Sequence, residues 1–394
     1  MSRNDVTIST DRRRRWKVWL VAGLTLLLGL PLVGWSWWSS TLAQRIAELA
    51  AQLDRAGQPW RYADLIKPFP KASLEPSGLR VIAKTIPTNF LKPQPGRENL
   101  WEQIANLEPG QRLNDTQLDA LRAELAKVDE PLKTARELAR VEPPAPIELD
   151  PVAELVDLMA DDLATNSVRV VARLLFLDIL DHAHQGRSAE AMDSLVALMN
   201  LTRMLDHAPS MMVQLVRIAL VQIVLKATQH LLALCPLDQS QLDRLNALLE
   251  REGAYRLAEV AFKAERAMAF ERLNLIESGQ IPSNSPLNAL SGLTFRPFLR
   301  QSQWIVMNGL TQIINLIQNT PPSSWIEDTQ SLLDNIAVES GGIGPFQAAS
   351  SMGLLMLAPC RSVVEADVRR IAQVRVAQTA LRLQKPQTGR QTDP

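Results

Sequence analysis

Residues 186–234 read GRSAEAMDSLVALMNLTRMLDHAPSMMVQLVRIALVQIVLKATQHLLAL, and their periodicity decides the class of the chain. Ala191, Leu195, Leu198 and Leu201 recur at steps of four and three, the spacing of one helical face. Gly186 can stop the preceding helix, Ser188 is placed to cap the next, and Ala208-Pro209 closes that one before Ser210 opens another. Connections as short as Gln185-Gly186-Arg187 and Ala208-Pro209 make successive helices antiparallel neighbours. Met211 to Leu234 is apolar enough to raise the question of a membrane span. Gln214, Arg217, Gln222, Lys226 and His230 punctuate it, however, and unpartnered charge in hydrocarbon is costly, so it reads as the central helix of a core.

Working outward, the same period predicts helices over 152–184 (broken near Asn166), 188–207, 239–276 and 298–318, a shorter one after Ser324, and an amphipathic helix over 363–383. Asp238 with Gln241, and Asn114 with Gln117, have the spacing of capping boxes. Leu118, Leu121, Leu125, Val128 and Leu132 follow Asn114 in a coiled-coil-like pattern. That pattern is short and interrupted by Pro131, so pairing within the chain is expected in place of a dimeric coiled coil. No stretch sustains two-residue alternation, and the class is all-α. Neither a step of about 34 nor one of about 40 residues brings the same positions back. The expected architecture is an antiparallel helical bundle or a non-repetitive stack of helical hairpins.

The amino-terminal end has a different character. Val18 to Gln44 carries no charge, and Val18 to Trp38 would span roughly 31 Å as a helix, close to the thickness of a bilayer core. Trp16 and Trp19 stand at one end, and Trp35, Trp37 and Trp38 at the other, where indoles favour the interfacial layer. Arg3, Arg12, Arg13, Arg14, Arg15 and Lys17 precede the span, whereas Arg45 and Arg55 are the nearest basic residues after it. The positive-inside bias predicts a cytoplasmic amino terminus and an exported body, in the inner membrane and periplasm of a two-membrane bacterium. Thr41-Leu42-Ala43 is a poor cleavage site, so the reading is a retained single-pass anchor and not a cleaved signal.

The divisions that follow are a basic tail (1–17), a transmembrane helix (18–38), a membrane-proximal helix (39–58) and a proline-rich connector (59–97) with an extended piece at 79–83. After these come a small helical segment (98–141), a proline-rich linker (142–151), the helical body (152–358), and an amphipathic helix with a basic tail (359–394). Charge is uneven: residues 1–17 and 361–394 each carry a net +4, and the middle carries −8, so the basic tail could dock on the body or reach lipid headgroups.

Chemistry-bearing residues are sparse. Forty-two basic and 42 acidic residues cancel, removing the overall electrostatic reason to expect nucleic-acid binding. Four histidines and two cysteines exclude a multi-cysteine zinc module. Asp178 and His182 share a helical face and Asp181 and His184 lie nearby, yet His182, His184, His207 and His230 all fall near helix ends, where the macrodipole favours them. Glu259, Glu265 and Glu271 among Arg256, Lys263, Arg266 and Arg272 read as solvated helical pairs. Gly341-Gly342-Ile343-Gly344 lacks the residues of a phosphate-binding loop and reads as a turn. Export would permit a disulfide, and whether Cys235 and Cys360 pair is left open. No catalytic, cofactor-binding or metal-ligating residue is assigned, and no cofactor is implied.

Gly186 to Ala191 with Leu195, Leu198 and Leu201 resembles the turn and second helix of one tetratricopeptide unit. The tryptophan-flanked anchor, Ala43 to Leu49, the proline-rich connector, Gln214 to Arg217, Glu265 to Met268 and Arg296 to Arg300 together resemble uncharacterised bacterial membrane-anchored helical proteins. That resemblance covers most of the chain and implies an all-helical fold without an assigned activity. The expected partners are the bilayer, through the amino-terminal helix, and a protein or peptide bound by the body. A membrane-tethered hydrolase with a site built from distant residues is the alternative.

Overall fold

The computed structural model describes residues 9–66, 82, 84–86, 100–140, 160–206, 208, 210–280, 295–340 and 345–388. Among these residues every regular element is a helix and no strand occurs. Helix α1 (Ser9–Arg55) runs unbroken for 47 residues, so the expected transmembrane and membrane-proximal stretches are one element. Pro31 does not end it, and Gly57, at φ 61°, turns the chain after it. Short helices follow: α2 (Tyr62–Ile66), α3 (Leu100–Ala105), α4 (Asp115–Ala126) and α5 (Asp129–Arg136), then a 3-10 turn over Glu137–Arg140. Asn114 and Gln117 form the expected capping box, at 2.9 and 3.1 Å. Pro131 lies in the first turn of α5, where a backbone N–H has no intrahelical acceptor to lose. Of the extended piece expected at 79–83, Ile82 is helical and buried; the rest lies outside the described residues.

The body comprises α6 (Ala160–His184), α7 (Ser188–Arg203), α8 (Met211–Leu234), α9 (Gln239–Ala254), α10 (Leu257–Ser278), α11 (Arg296–Asn319), α12 (Trp325–Ser340), α13 (Pro345–Leu357) and α14 (Cys360–Thr388). Three expectations need correction. Helix α6 continues through Asn166, because the few tenths of a kcal/mol that Asn costs a helix are small beside burial of Val168, Val171 and Leu175. The single helix expected over 239–276 breaks at Tyr255-Arg256, where tertiary hydrogen bonds satisfy both new ends. Ser188 is the first helical residue and not a cap; its hydroxyl accepts from Gln241 at 3.2 Å. Helix α13 was not anticipated, its preceding glycine turn lying outside the described residues.

Two large apolar cores, with two smaller clusters beside them, occupy the described residues. Ile104, Leu121, Leu125, Val128, Leu132 and Leu138 pack into the same core as α6–α9. Helices this short cannot bury their apolar faces alone and here do so against the body. Helix α8 has the length and apolarity to cross a membrane but is mostly buried within the body. The second core joins α10–α14, with Met211 from α8. Helix α14 threads both, with Cys360, Val363, Val364 and Ile371 in the second and Val374, Ala377 and Leu381 in the first. The carboxy-terminal helix thus docks through apolar side chains, and its Asp367 and Arg370 are fully buried.

Helix α1 is splinted to α11. The Trp35 and Trp38 rings meet Phe298 edge-on at 5.0 and 5.8 Å, and Arg300 donates to the Ser39 hydroxyl at 3.0 Å and carbonyl at 3.2 Å. Arg45 lies over the Trp304 ring at 5.5 Å, and Ile46, Ala50 and Leu53 cluster with Met307. Partners advance together along both helices, so the two run parallel.

Helices α11 and α13 approach closely through Gly309 and Gly353. A Cβ at Gly353 would lie 3.0 Å from Ile305 Cβ and 3.3 Å from the Ser302 backbone, whereas one at Gly309 would meet only side-chain ends, Leu357 Cδ1 at 2.7 Å and Ile336 Cδ1 at 3.3 Å. Gly353→Ala should therefore destabilise by about 1–3 kcal/mol through overpacking. Gly309→Ala should lose clearly less, because Leu357 can rotate and alanine favours the helix by about 1 kcal/mol. Urea denaturation followed by circular dichroism separates the two; equal losses would contradict the packing argument.

Candidate functional site

An arginine inside the apolar face of α8 must find acceptors, because a guanidinium stripped of water is strongly unfavourable. Arg217 is 1% exposed, and all three of its nitrogens are engaged. Nη1 and Nη2 donate to the two carboxylate oxygens of Glu252 at 3.0 and 2.9 Å, and Nε donates to Asp206 at 2.6 Å. The Tyr255 ring lies 4.1 Å beneath the guanidinium. Burial alone pulls the Arg217 pKa down, but Glu252 and Asp206 more than offset it and hold it above the ordinary value.

Glu252 also receives Arg370 of α14, which is likewise fully buried. Arg370 Nη1 donates to the Glu252 carboxylate at 2.7 Å and to its carbonyl at 2.6 Å; Nη2 reaches the Tyr255 carbonyl at 2.6 Å, and Nε reaches Asp367 at 2.7 Å. The other Asp367 oxygen accepts the Ala258 N–H at 2.9 Å, filling an orphan donor in the first turn of α10. The break at Tyr255-Arg256 is thereby explained: the Tyr255 carbonyl and the Ala258 amide find partners in α14 in place of intrahelical ones. A cleft between α7, α8 and α9 opens beside this lattice, lined by Met199, Arg203, Arg217, Val221, Leu248 and Tyr255 among others. Three of the five Arg217 N–H groups are committed to Glu252 and Asp206, and the lattice is suited to fixing helices.

The Asp178, Asp181, His182 and His184 cluster forms a second polar centre. Asp178 is gripped by Arg136 from α5, with one contact at 2.8 Å, and accepts the Ser194 hydroxyl at 2.5 Å. His182 Nε2 lies 3.4 Å from Asp178 and 3.2 Å from the Arg136 guanidinium. A hydrolytic triad needs the serine proton directed at the imidazole. Here the Ser194 proton goes to Asp178 and not to the imidazole, so the three residues meet without the serine being activated. Asp181 pairs with Arg122 at 2.9 Å, and His184 Nε2 accepts the Leu113 N–H at 3.4 Å. These contacts fasten the α4–α5 segment to α6. Among the described residues no group of three or more potential ligands could hold a metal ion.

Other sequence expectations divide. Glu259 is a helical pair as expected: burial pushes its pKa up, but Lys263 and Gln318, each at 2.7 Å, hold it below the usual value. Arg266 is not solvated. It is fully buried with no carboxylate, donating to the Thr311 hydroxyl and the Pro59 carbonyl at 2.9 Å each, and burial pulls its pKa down to about 10. Its neighbour Glu265 is raised by burial, against the pull of Arg272. His207 lies outside the described residues. His230 is no helix-end cap: it is fully buried against Phe176, neither ring nitrogen has a hydrogen-bond partner, and burial lowers its pKa to about 4. Cys235 and Cys360 are both buried and unpaired, the first in one core and the second in the other; burial drives the Cys360 thiol up to about 12.

The sequence reading missed the Arg217, Glu252, Arg370 and Asp367 lattice. Its one legible signal was Arg217 itself, a charge at a core position that obliges acidic partners to arrive from elsewhere. Comparison of the chain with family models, with curated proteins and with solved structures found no match.

Glu252→Gln strands two buried guanidiniums and should destabilise by about 3–5 kcal/mol. Asp206→Asn, at a carboxylate that keeps 19% exposure, should cost markedly less by the same urea assay. Acid sensitivity follows from the buried histidines. Between pH 6.5 and about 4 the unfolded chain binds a proton that folded His230 refuses, so this contribution is complete above 6.5 and is lost as pH falls. His182 and His184, also lowered by burial, act in the same direction. His230→Leu should show a smaller fall in Tm across that interval than the parent; identical slopes would refute the assignment.

Proposed function

We propose that this protein is a membrane-anchored, non-enzymatic interaction module of the bacterial inner membrane. In this reading α1 crosses the bilayer once, with its amino terminus in the cytoplasm, and the helical body stands in the periplasm and binds a protein or peptide. The observation that carries the anchor is the exposure along α1: Trp19 is 77%, Leu30 63%, Val33 67% and Trp37 72% exposed. Large apolar side chains left in water along one uncharged stretch call for an apolar medium, and the stretch has a bilayer's length. Beyond Trp38 the same helix turns Leu42, Ile46 and Leu53 into the body, so one continuous element serves two environments.

Support for an interaction role in place of catalysis comes from where the charges go. Arg217, Arg370, Asp178 and Asp367 are spent on one another or on neighbouring helices, holding a multi-helix surface in place. Isolated apolar side chains remain on that surface, among them Met212, Val338, Leu355 and Val376. The balanced net charge gives no footprint for nucleic acid.

The protein is expected to stay with membranes through an alkaline carbonate wash, to dissolve only in detergent, and to activate a carboxy-terminal phosphatase reporter that works only after export. Activity of a cytosol-specific reporter at that end, or a full-length protein soluble without detergent, would refute the anchor. Cross-linking in intact cells should capture a second protein on the body; recovery of this chain alone would count against the interaction role.

A further inference from the structure

We infer that the first turn of α11, led by Phe295, is a second membrane contact, seated in the interfacial layer of the same bilayer that α1 crosses. The inference rests on the anchor reading above and follows from the register between α1 and α11. The two helices run parallel: Phe298 touches Trp35 and Trp38, Arg300 reaches Ser39, and Trp304 meets Arg45. Moving back along α11 is therefore moving back along α1, towards its uncharged stretch.

Phe295 precedes Phe298 by three residues, about 4.5 Å of helix rise. That step takes it from the level of Trp35–Trp38 to about that of Val33, which is itself 67% exposed. Indoles favour the interfacial layer, about 5–8 Å deep on each side of a bilayer, so a residue one helical turn inward of Trp35–Trp38 sits at or just inside its apolar boundary. The Phe295 ring lies 6.3 Å from the Phe298 ring and keeps 39% of its surface exposed.

Three further observations favour lipid as the occupant. The exposed apolar groups at this level, Val33, Trp37 and Phe295, belong to two elements held in register, as a planar apolar phase requires. Arg296 is 43% exposed beside Phe295, its Nε 3.8 Å from Glu277, and a long cationic side chain there can reach lipid phosphate. The sequence carries no charged residue between Glu277 and Arg296. The consequence is a body held flush with the membrane, its orientation set by two points, in contrast to one swinging from a tether.

The test uses the full-length protein in vesicles of phosphatidylethanolamine and phosphatidylglycerol, with a nitroxide label on Phe295→Cys, Leu30→Cys or Val338→Cys. The native Cys235 and Cys360 are buried and should leave the parent unlabelled. The ratio of collisions with oxygen, which partitions into lipid, to collisions with a water-soluble nickel chelate should be several-fold higher at Phe295 and Leu30 than at Val338. A label on Arg296→Cys gives an independent reading and should fall between the two. A lipid-like Leu30 with a water-like Phe295 overturns this inference and leaves the anchor standing. Water-like values at both overturn the anchor and this contact with it. A Phe295 label shielded from both reagents would mean that protein covers the turn, which also overturns the lipid assignment.

Discussion

Taking a guanidinium out of water forfeits hydration worth several kcal/mol, and a helical body recovers it only by bringing fixed acceptors to each nitrogen. Arg217 and Arg370 impose that requirement at the centre of this protein, and Glu252 meets it for both. Because Arg217 lies on α8, Glu252 on α9 and Arg370 on α14, one carboxylate fixes three helices against one another. Apolar contacts between these helices would tolerate small rotations, whereas bidentate hydrogen bonds do not. The break between α9 and α10 belongs to the same constraint, since the Tyr255 carbonyl and the Ala258 amide bond to α14.

A related economy of donors joins α1 to the body. Arg266 has no carboxylate and relies on a threonine hydroxyl and a backbone carbonyl just beyond α1, so burial lowers its pKa and it depends on the chain at Pro59 staying where it is. Trp60 extends this contact, packing edge-on against Phe270 at 4.8 Å while its indole N–H donates to Asp54 at 2.8 Å. The end of α1, the middle of α10 and α11 are thereby one unit. Parallel packing of α1 on α11 then transmits the position of the uncharged stretch directly to the body.

Much of this was readable before any coordinates. The 3.6-residue period placed α7, α8 and α11 within a few residues of their ends and the start of α12 after Ser324, and both capping boxes formed as their spacing suggested. Failures occurred where a tertiary partner overruled a local tendency. Asn166 did not interrupt α6, Tyr255-Arg256 did interrupt an unbroken periodic run, and His230, read as a helix-end cap, is an unpartnered ring in the core. Arg266 and Glu265 had the spacing of solvated helical charges yet lie against α11 and α14, because period alone does not say which face is covered.

Composition and periodicity by themselves determined the helical class, the antiparallel hairpin at Gly186, and the uncharged amino-terminal stretch with its tryptophans. These are local properties, set by backbone preference and by the alternation of apolar and polar side chains over a few turns. Tertiary structure alone decided which charges would meet, that residues 104–138 would share a core with α6–α9, and that α1 would lie in register with α11. Those outcomes depend on contacts between residues tens to hundreds of positions apart, and the desolvation energies that select them arise only once the helices have closed around the charges.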